Sequence, residues 1–185
     1  VMDGTVAFGS AYHNWGITIP YMKKSGVSMT EIFEYCNNED QKTLASKAPV
    51  HEVLLDMAVT KLPGPVEAQP YRIPNIWTGD LDSTIGKAMV SCDPEAELAM
   101  MITKIWMDPH AGEVAVGRIY SGAISQGESV YAIGASKAER VQQVSMMVGG
   151  DRITVPKVVA GNIAALTGIR SAAAGVTLSR DKDFT

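Results

Sequence analysis

Val114-Ala115-Val116-Gly117-Arg118-Ile119-Tyr120-Ser121-Gly122 is the stretch that decides how this chain folds. Ala115, Gly117 and Ile119 recur at every second position, a period that puts them on one face of a strand and cannot wind a helix. Upstream, Leu98, Met100, Ile102 and Trp106 alternate with Ala99, Met101, Thr103 and Ile105, and Asp108-Pro109-His110-Ala111-Gly112 turns the chain back. Downstream, Gln126-Gly127 marks another turn, and apolar runs follow at 130–133, 141–148, 152–155, 162–166 and 176–178. That makes about seven short, closely spaced strands, bounded by turn residues and without helical period. Such a run predicts a small closed β-barrel over residues 97–185.

The chain changes character upstream. Residues 5–11, Thr-Val-Ala-Phe-Gly-Ser-Ala, read as a strand running into a small-residue turn. Ser28-Met29-Thr30-Glu31 predicts a helix start, because Ser28 can cap the Glu31 amide while Glu31 reaches back. Ile32, Phe33, Tyr35 and Cys36 form its expected buried stripe. Pro49 suits the first turn of a second helix, on which Val50, Val53, Leu54, Met57, Ala58 and Leu62 share an expected buried face. Residues 1–62 therefore read as an α/β remnant. Pro63, Pro65, Pro70, Pro74 and Pro94 predict an extended connection over 63–96, pinned at Ile76 and Trp77. The fold class is mainly β, a barrel preceded by an α/β piece.

The 185 residues carry 46% hydrophobic and 19% charged side chains, too apolar and too weakly charged for a disordered chain. No apolar run approaches the ~20 residues of a membrane span, and the start resembles no signal peptide. Opening on Val1, the chain reads as cut from a longer one. The net charge of −4 excludes a globally basic nucleic-acid binder. The acidic excess lies in residues 1–96, so the second half is the better candidate for facing a polyanion. Cys36 and Cys92 form no CxxC and read as ordinary reduced thiols.

Motifs that carry chemistry are scarce. Ser83-Thr84-Ile85-Gly86-Lys87-Ala88 mimics a phosphate-binding loop, but Leu81 replaces the first glycine and Ala88 the Mg²⁺-binding hydroxyl. His13, His51 and His110 are too scattered to predict a metal site. No G-x-S-x-G elbow exists, and Asp80, Asp82, Glu95 and Glu97 read as solvated charges. No catalytic residue and no metal ligand is assigned.

Three stretches carry a resemblance. Val6-Ala7-Phe8-Gly9-Ser10-Ala11 resembles the last guanine-binding motif of GTPases. Residues 68–77, Ala-Gln-Pro-Tyr-Arg-Ile-Pro-Asn-Ile-Trp, with Ile85-Gly86-Lys87-Ala88-Met89, form the second. Residues 117–124, with Gln126-Gly127-Glu128 and Ala160-Gly161-Asn162-Ile163-Ala164-Ala165-Leu166-Thr167-Gly168, form the third. Together they resemble the elongation factor 2 family of ribosomal translocation GTPases, in its archaeal form, across essentially the whole chain.

The resemblance implies a fragment. Residues 1–62 would end the GTP-binding domain, 63–96 connect, and 97–185 form domain II, a Greek-key translation-factor barrel. The parent would be a cytoplasmic GTPase that uses GTP, leaving GDP, with Mg²⁺ to translocate tRNA and mRNA. This piece lacks the phosphate loop, a D-x-x-G and an N-K-x-D, so it is expected to hold no nucleotide and to hydrolyse none. The Ala11 amide would face guanine O6, with the Ser10 hydroxyl bracing the turn; Tyr12 stands where the family often has Lys or Leu. The barrel would dock on small-subunit ribosomal RNA, with Arg118, Lys137, Arg140, Arg152, Lys157 and Arg170 as candidate phosphate-facing groups. The other expected partners are the remainder of the GTP-binding domain and downstream domains, with no membrane. Two further readings fit these residues: a free-standing RNA-binding or adaptor barrel, and a spliceosomal relative of elongation factor 2.

Overall fold

A computed structural model describes residues 1–182 and residue 184. The chain forms two compact units, Val1–Leu62 and Pro63–Thr185.

In the first unit, β1 (Phe8–Ser10) pairs antiparallel with β2 (Trp15–Ile17), the latter unforeseen from sequence. α1 (Ile19–Ser25) follows, capped by Thr18 and closed by Gly26 at φ 76°. α2 (Met29–Asn37) carries the expected capping box: Glu31 N–H donates to Ser28 Oγ and Ser28 N–H to Glu31 Oε2. α3 (Gln41–Lys47) starts on Asp40, and α4 (Val50–Lys61) directly after Pro49. Ile17, Tyr21, Val27, Ile32, Leu44, Ala48 and Val53 form the core.

The expected stripes are only half buried. Val53 is 1% exposed, but Leu54 is 54% and Leu62 70% exposed, and Phe33 is also exposed. At 100° per residue, Val50, Val53 and Met57 make one line on α4 with Leu54 flanking it, while Leu55, Val59 and Leu62 lie round the other side. A helix apolar on both sides shows three- and four-residue spacing on each. Periodicity therefore cannot say which side finds a partner.

The second unit corrects the extended connection. Residues 63–96 contain α5 (Pro65–Ile76) and α6 (Thr84–Ser91). Pro65 sits at the first helical positions, where no N–H is required. Pro70 and Pro74 interrupt two intrahelical bonds, yet they lie four apart beside exposed Val66, on the solvent side, where water can reach the freed carbonyls. The opposite face buries Ala68, Gln69 and Ile73. Gln69 Nε2 donates to the carbonyls of Met89 and Tyr120, tying α5 to α6 and to the sheet. Trp77 packs on this cluster, whereas Ile76 is exposed.

The barrel follows as β3 (Ala99–Asp108), β4 (Gly112–Ser121), β5 (Ala123–Ser125), β6 (Ser129–Ala132), β7 (Glu139–Arg140), β8 (Gln143–Val148), β9 (Asp151–Thr154), β10 (Lys157–Val159), β11 (Ile163–Thr167) and β12 (Thr177–Ser179). Eight strands make one curled antiparallel sheet in the order β7-β6-β12-β3-β4-β11-β8-β9, and β10 pairs with β5. β12 returns over a long connection to lie between β6 and β3, the return that marks Greek-key topology. The extra strands β5, β7 and β10 have three residues or fewer, too short to carry a visible alternation. The core comprises Leu98, Met100, Ile102, Ile119, Ile124, Val144, Leu166 and Leu178, among others.

One parity expectation fails. The β3–β4 register shifts between Ile102 and Lys104, so Ile105, not Trp106, packs against the core beyond that point. Gly117 lies opposite the shift. A Cβ there would sit 2.3 Å from the Met101 carbonyl oxygen and 2.9 Å from Ile102 Cα.

Gly117→Ala is therefore expected to destabilise the barrel by about 1–3 kcal/mol through backbone overpacking. Gly150→Ala, with open space around the added methyl, should stay within about 0.5 kcal/mol of the parent. Urea denaturation followed by tryptophan fluorescence compares the two.

Candidate functional site

The β1–β2 hairpin presents the predicted base-recognition residues. Ser10 ends β1, and residues 11–14 form the turn, all exposed. Asn14 takes the left-handed conformation at φ 58°, which asparagine tolerates better than most residues. His13 N–H donates to Ser10 Oγ at 3.3 Å, and Asn14 N–H to the Ala11 carbonyl at 3.3 Å. The Ser10 hydroxyl thus braces the turn. The Ala11 amide takes part in none of the turn's hydrogen bonds among the described residues. The Tyr12 and His13 rings meet edge-on with centroids 4.8 Å apart.

The six candidate phosphate-facing residues of the barrel do not form one surface. Arg152 Nη2 lies 3.8 Å from Asp108 Oδ2, its side chain mostly buried. Asp108 also accepts the amides of Ala111 and His110 at 2.9 and 2.8 Å, and these bonds, with Arg152, hold its carboxyl below the ordinary aspartate value. That group clasps the β3–β4 tip to β9 and is structural. Arg118 is half-buried within β4, and Lys157 is exposed on β10.

Lys137, Arg140 and Arg170 converge. They line one open groove with Glu139, Gln142, Gly168 and Ser171, a hollow of about 610 Å³. Gly168 makes the approach possible: it sits at φ +95°, and a Cβ there would lie 2.7 Å from the Arg140 carbonyl and from Gln142 Cγ. Glu139 fastens the two banks, accepting the Arg170 amide at 2.5 Å and the Ser171 amide at 2.9 Å. Burial opposes its ionisation, but the hydrogen bonds from Ser171 and Arg170 outweigh this and hold the carboxyl below the ordinary glutamate value. Sequence reasoning missed Glu139, Gln142 and Gly168. No local signal links Glu139 to a turn 31 positions later.

The decoy phosphate loop is the start of α6. Ser83 Oγ caps the Gly86 amide, and Gly86 packs against the carbonyls of Asp80 and Leu81. His13, His51 and His110 are exposed. No cluster of three or more His, Cys, Asp or Glu that could hold a metal occurs among the described residues. No helix among them is long and apolar enough to cross a membrane.

The curled barrel with its Greek-key return lies in the stretch, residues 97–181, that matches the family model described as elongation factor G domain 2. Over nearly its full length the chain is similar to archaeal elongation factor 2. It is 57% identical to that of Methanococcus aeolicus over 178 residues, which is 96% of this chain and 24% of the relative. It is 53% identical to that of Thermococcus kodakarensis over 179 residues, 97% of this chain and 24% of the relative. The chain spans about a quarter of the length of these curated relatives.

Glu139→Gln should loosen the two banks by roughly 1 kcal/mol at pH 7, low for charged hydrogen bonds because the site is partly exposed. A carboxyl lowered on folding stabilises above its unfolded value and ceases to do so as pH falls through its lowered folded value. The gap between parent and variant is therefore expected to narrow from pH 7 to about pH 3, as urea denaturation at several pH values would show.

Proposed function

We propose that this chain is the part of a ribosomal translocation GTPase that joins the end of the GTP-binding domain, residues 1–62, to the domain II barrel, residues 97–185. The factor acts in the cytoplasm, where GTP hydrolysis with Mg²⁺ drives movement of tRNA and mRNA through the ribosome. The observation that carries this reading is unbroken similarity to archaeal elongation factor 2 over 96% of the chain, barrel and flanking helices alike.

Within that factor, the Ala11 amide donates to guanine O6. Adenine offers an amino group at that place, so a backbone donor selects guanine. The exposed Ala11 amide and the Ser10 brace support this assignment. Leu54, Leu55, Val59 and Leu62 support the other half of the reading. An exposed apolar side of this kind asks for a protein partner, and the remainder of the GTP-binding domain supplies it. Phosphate and Mg²⁺ chemistry belongs to that remainder, because this chain has no G-x-x-x-x-G-K-[ST], D-x-x-G or N-K-x-D. The role of these residues is to complete the base site and to couple it to a barrel that contacts the small ribosomal subunit.

Two measurements test the proposal. Calorimetric titration with GTP and Mg²⁺ is expected to give affinity weaker than micromolar and no turnover; tight binding would place phosphate recognition inside this chain and overturn the division of labour. In sedimentation with archaeal small subunits, the chain should pellet and be displaced by full-length archaeal elongation factor 2. Failure to pellet even at low salt counts against the ribosomal role.

A further inference from the structure

We infer that the hollow between the helical segment and the outer face of the barrel sheet is a binding site for a neutral, planar aromatic molecule of one or two rings. The site lies wholly within the Pro63–Thr185 unit and is independent of the ribosomal reading above.

Strand parity creates the floor. Ala99 and Met101 of β3, Tyr120 of β4 and Thr177 of β12 project from the face opposite the core residues Met100, Ile119 and Leu178, and Met101 lies directly beside Thr177. α5 and α6 roof this face with Ile73, Trp77 and Met89, and the Gln69 amide, donating to the Met89 and Tyr120 carbonyls, holds the roof in place. Ala99 and Gly175 supply little side-chain volume to fill the space, which remains as an apolar hollow of about 230 Å³. Its inner end is closed to solvent, since Ile73, Met89 and Ala99 are buried, while exposed Ile76 and Gly175 mark its mouth.

Size and lining together define the occupant. An apolar cavity of about 150 Å³ holds one benzene ring and drug-sized ligands need about 300 Å³ or more, so a hollow of about 230 Å³ suits one or two fused rings. No charged side chain lines it among the described residues, so a charged ligand would lose hydration without gaining a counter-charge. Trp77, Tyr120 and Phe184 offer ring edges and faces, and Met89 and Met101 offer thioethers, contacts that favour an aromatic ring over an aliphatic one. No described residue engages the Trp77 indole N–H, the Tyr120 hydroxyl or the Thr177 hydroxyl in a hydrogen bond, which leaves them to orient a ring bearing a donor or an acceptor. The rim is preset. A Cβ on Gly79 would sit 2.6 Å from Trp77 Cε2, so the loop after α5 lies close against the indole and fixes its position.

Indole is the probe, and indole-3-acetate presents the same ring with a charge attached. Titration of the chain is followed by proton–nitrogen correlation spectra, in which the indole N–H signals of the three tryptophans report separately. Trp77 should shift saturably with indole, at a dissociation constant of about 1 mM or tighter. Trp15, whose N–H donates to Gln41, and Trp106 should stay in place. Indole-3-acetate should bind roughly tenfold more weakly or worse. Thr177→Phe, which fills the hollow from the outer face of β12, should weaken indole roughly tenfold while the thermal melt remains cooperative. Phe184→Ala removes one wall beyond the last strand and should weaken indole severalfold, so the test survives if the first variant misfolds. Equal shifts at all three tryptophans, or shifts confined to the exposed apolar side of α4, would mean unspecific adhesion and overturn the site. Failure of Trp77 to respond by about 10 mM indole, equal affinity for the two probes, or parental affinity in the folded variants would overturn it as well.

Discussion

The barrel depends on one close backbone crossing. Where β4 passes β3 at Gly117, the Met101 carbonyl and the Ile102 α-carbon occupy the volume that any side chain would need. The register shift at Ile102 lies at the same spot, so the two longest strands bend together and the sheet can curl instead of lying flat. β12 adds to one side of this pair and β11 to the other, and every outer strand inherits the curvature. Leu98, Met100 and Ile119 are fully buried because the curl turns them onto the same interior.

The helical segment ahead of the barrel is held by a different device. α5 carries two internal prolines and has little intrinsic reason to be helical. Its buried face is secured by Gln69, whose amide donates to two carbonyls, one on α6 and one at the end of β4. A buried donor satisfied twice is worth more than propensity here, since breaking it would strand polar groups away from water. Gln69 Oε1 itself has no partner among the described residues in its buried position, which marks this anchor as a compromise between polar satisfaction and close packing.

Site formation follows the same logic of distant pieces brought together. The turn proposed to recognise the base is local: Ser10, Ala11 and His13 are sequence neighbours, and the Ser10 hydroxyl accepts the His13 amide. The basic groove is not. Its banks come from chain segments some thirty residues apart and close only because Gly168 lets the backbones touch and Glu139 bridges them. Of six basic residues equivalent by sequence, the fold turns Arg152 into a clasp and gathers Lys137, Arg140 and Arg170.

What could be read without coordinates was whatever depends on near neighbours. The Ser28–Glu31 capping box, the alternation of Ala115, Gly117 and Ile119, and the failed phosphate loop at residues 83–88 all involve spacings of a few residues, where backbone geometry leaves little choice. The three-residue strands, the helicity of α5, the burial of only one side of α4 and the parity flip after Ile102 were decided by tertiary structure. In each, local preference was weak or ambiguous, and the outcome went to whichever arrangement paired backbone polar groups and covered apolar surface with partners distant in the chain.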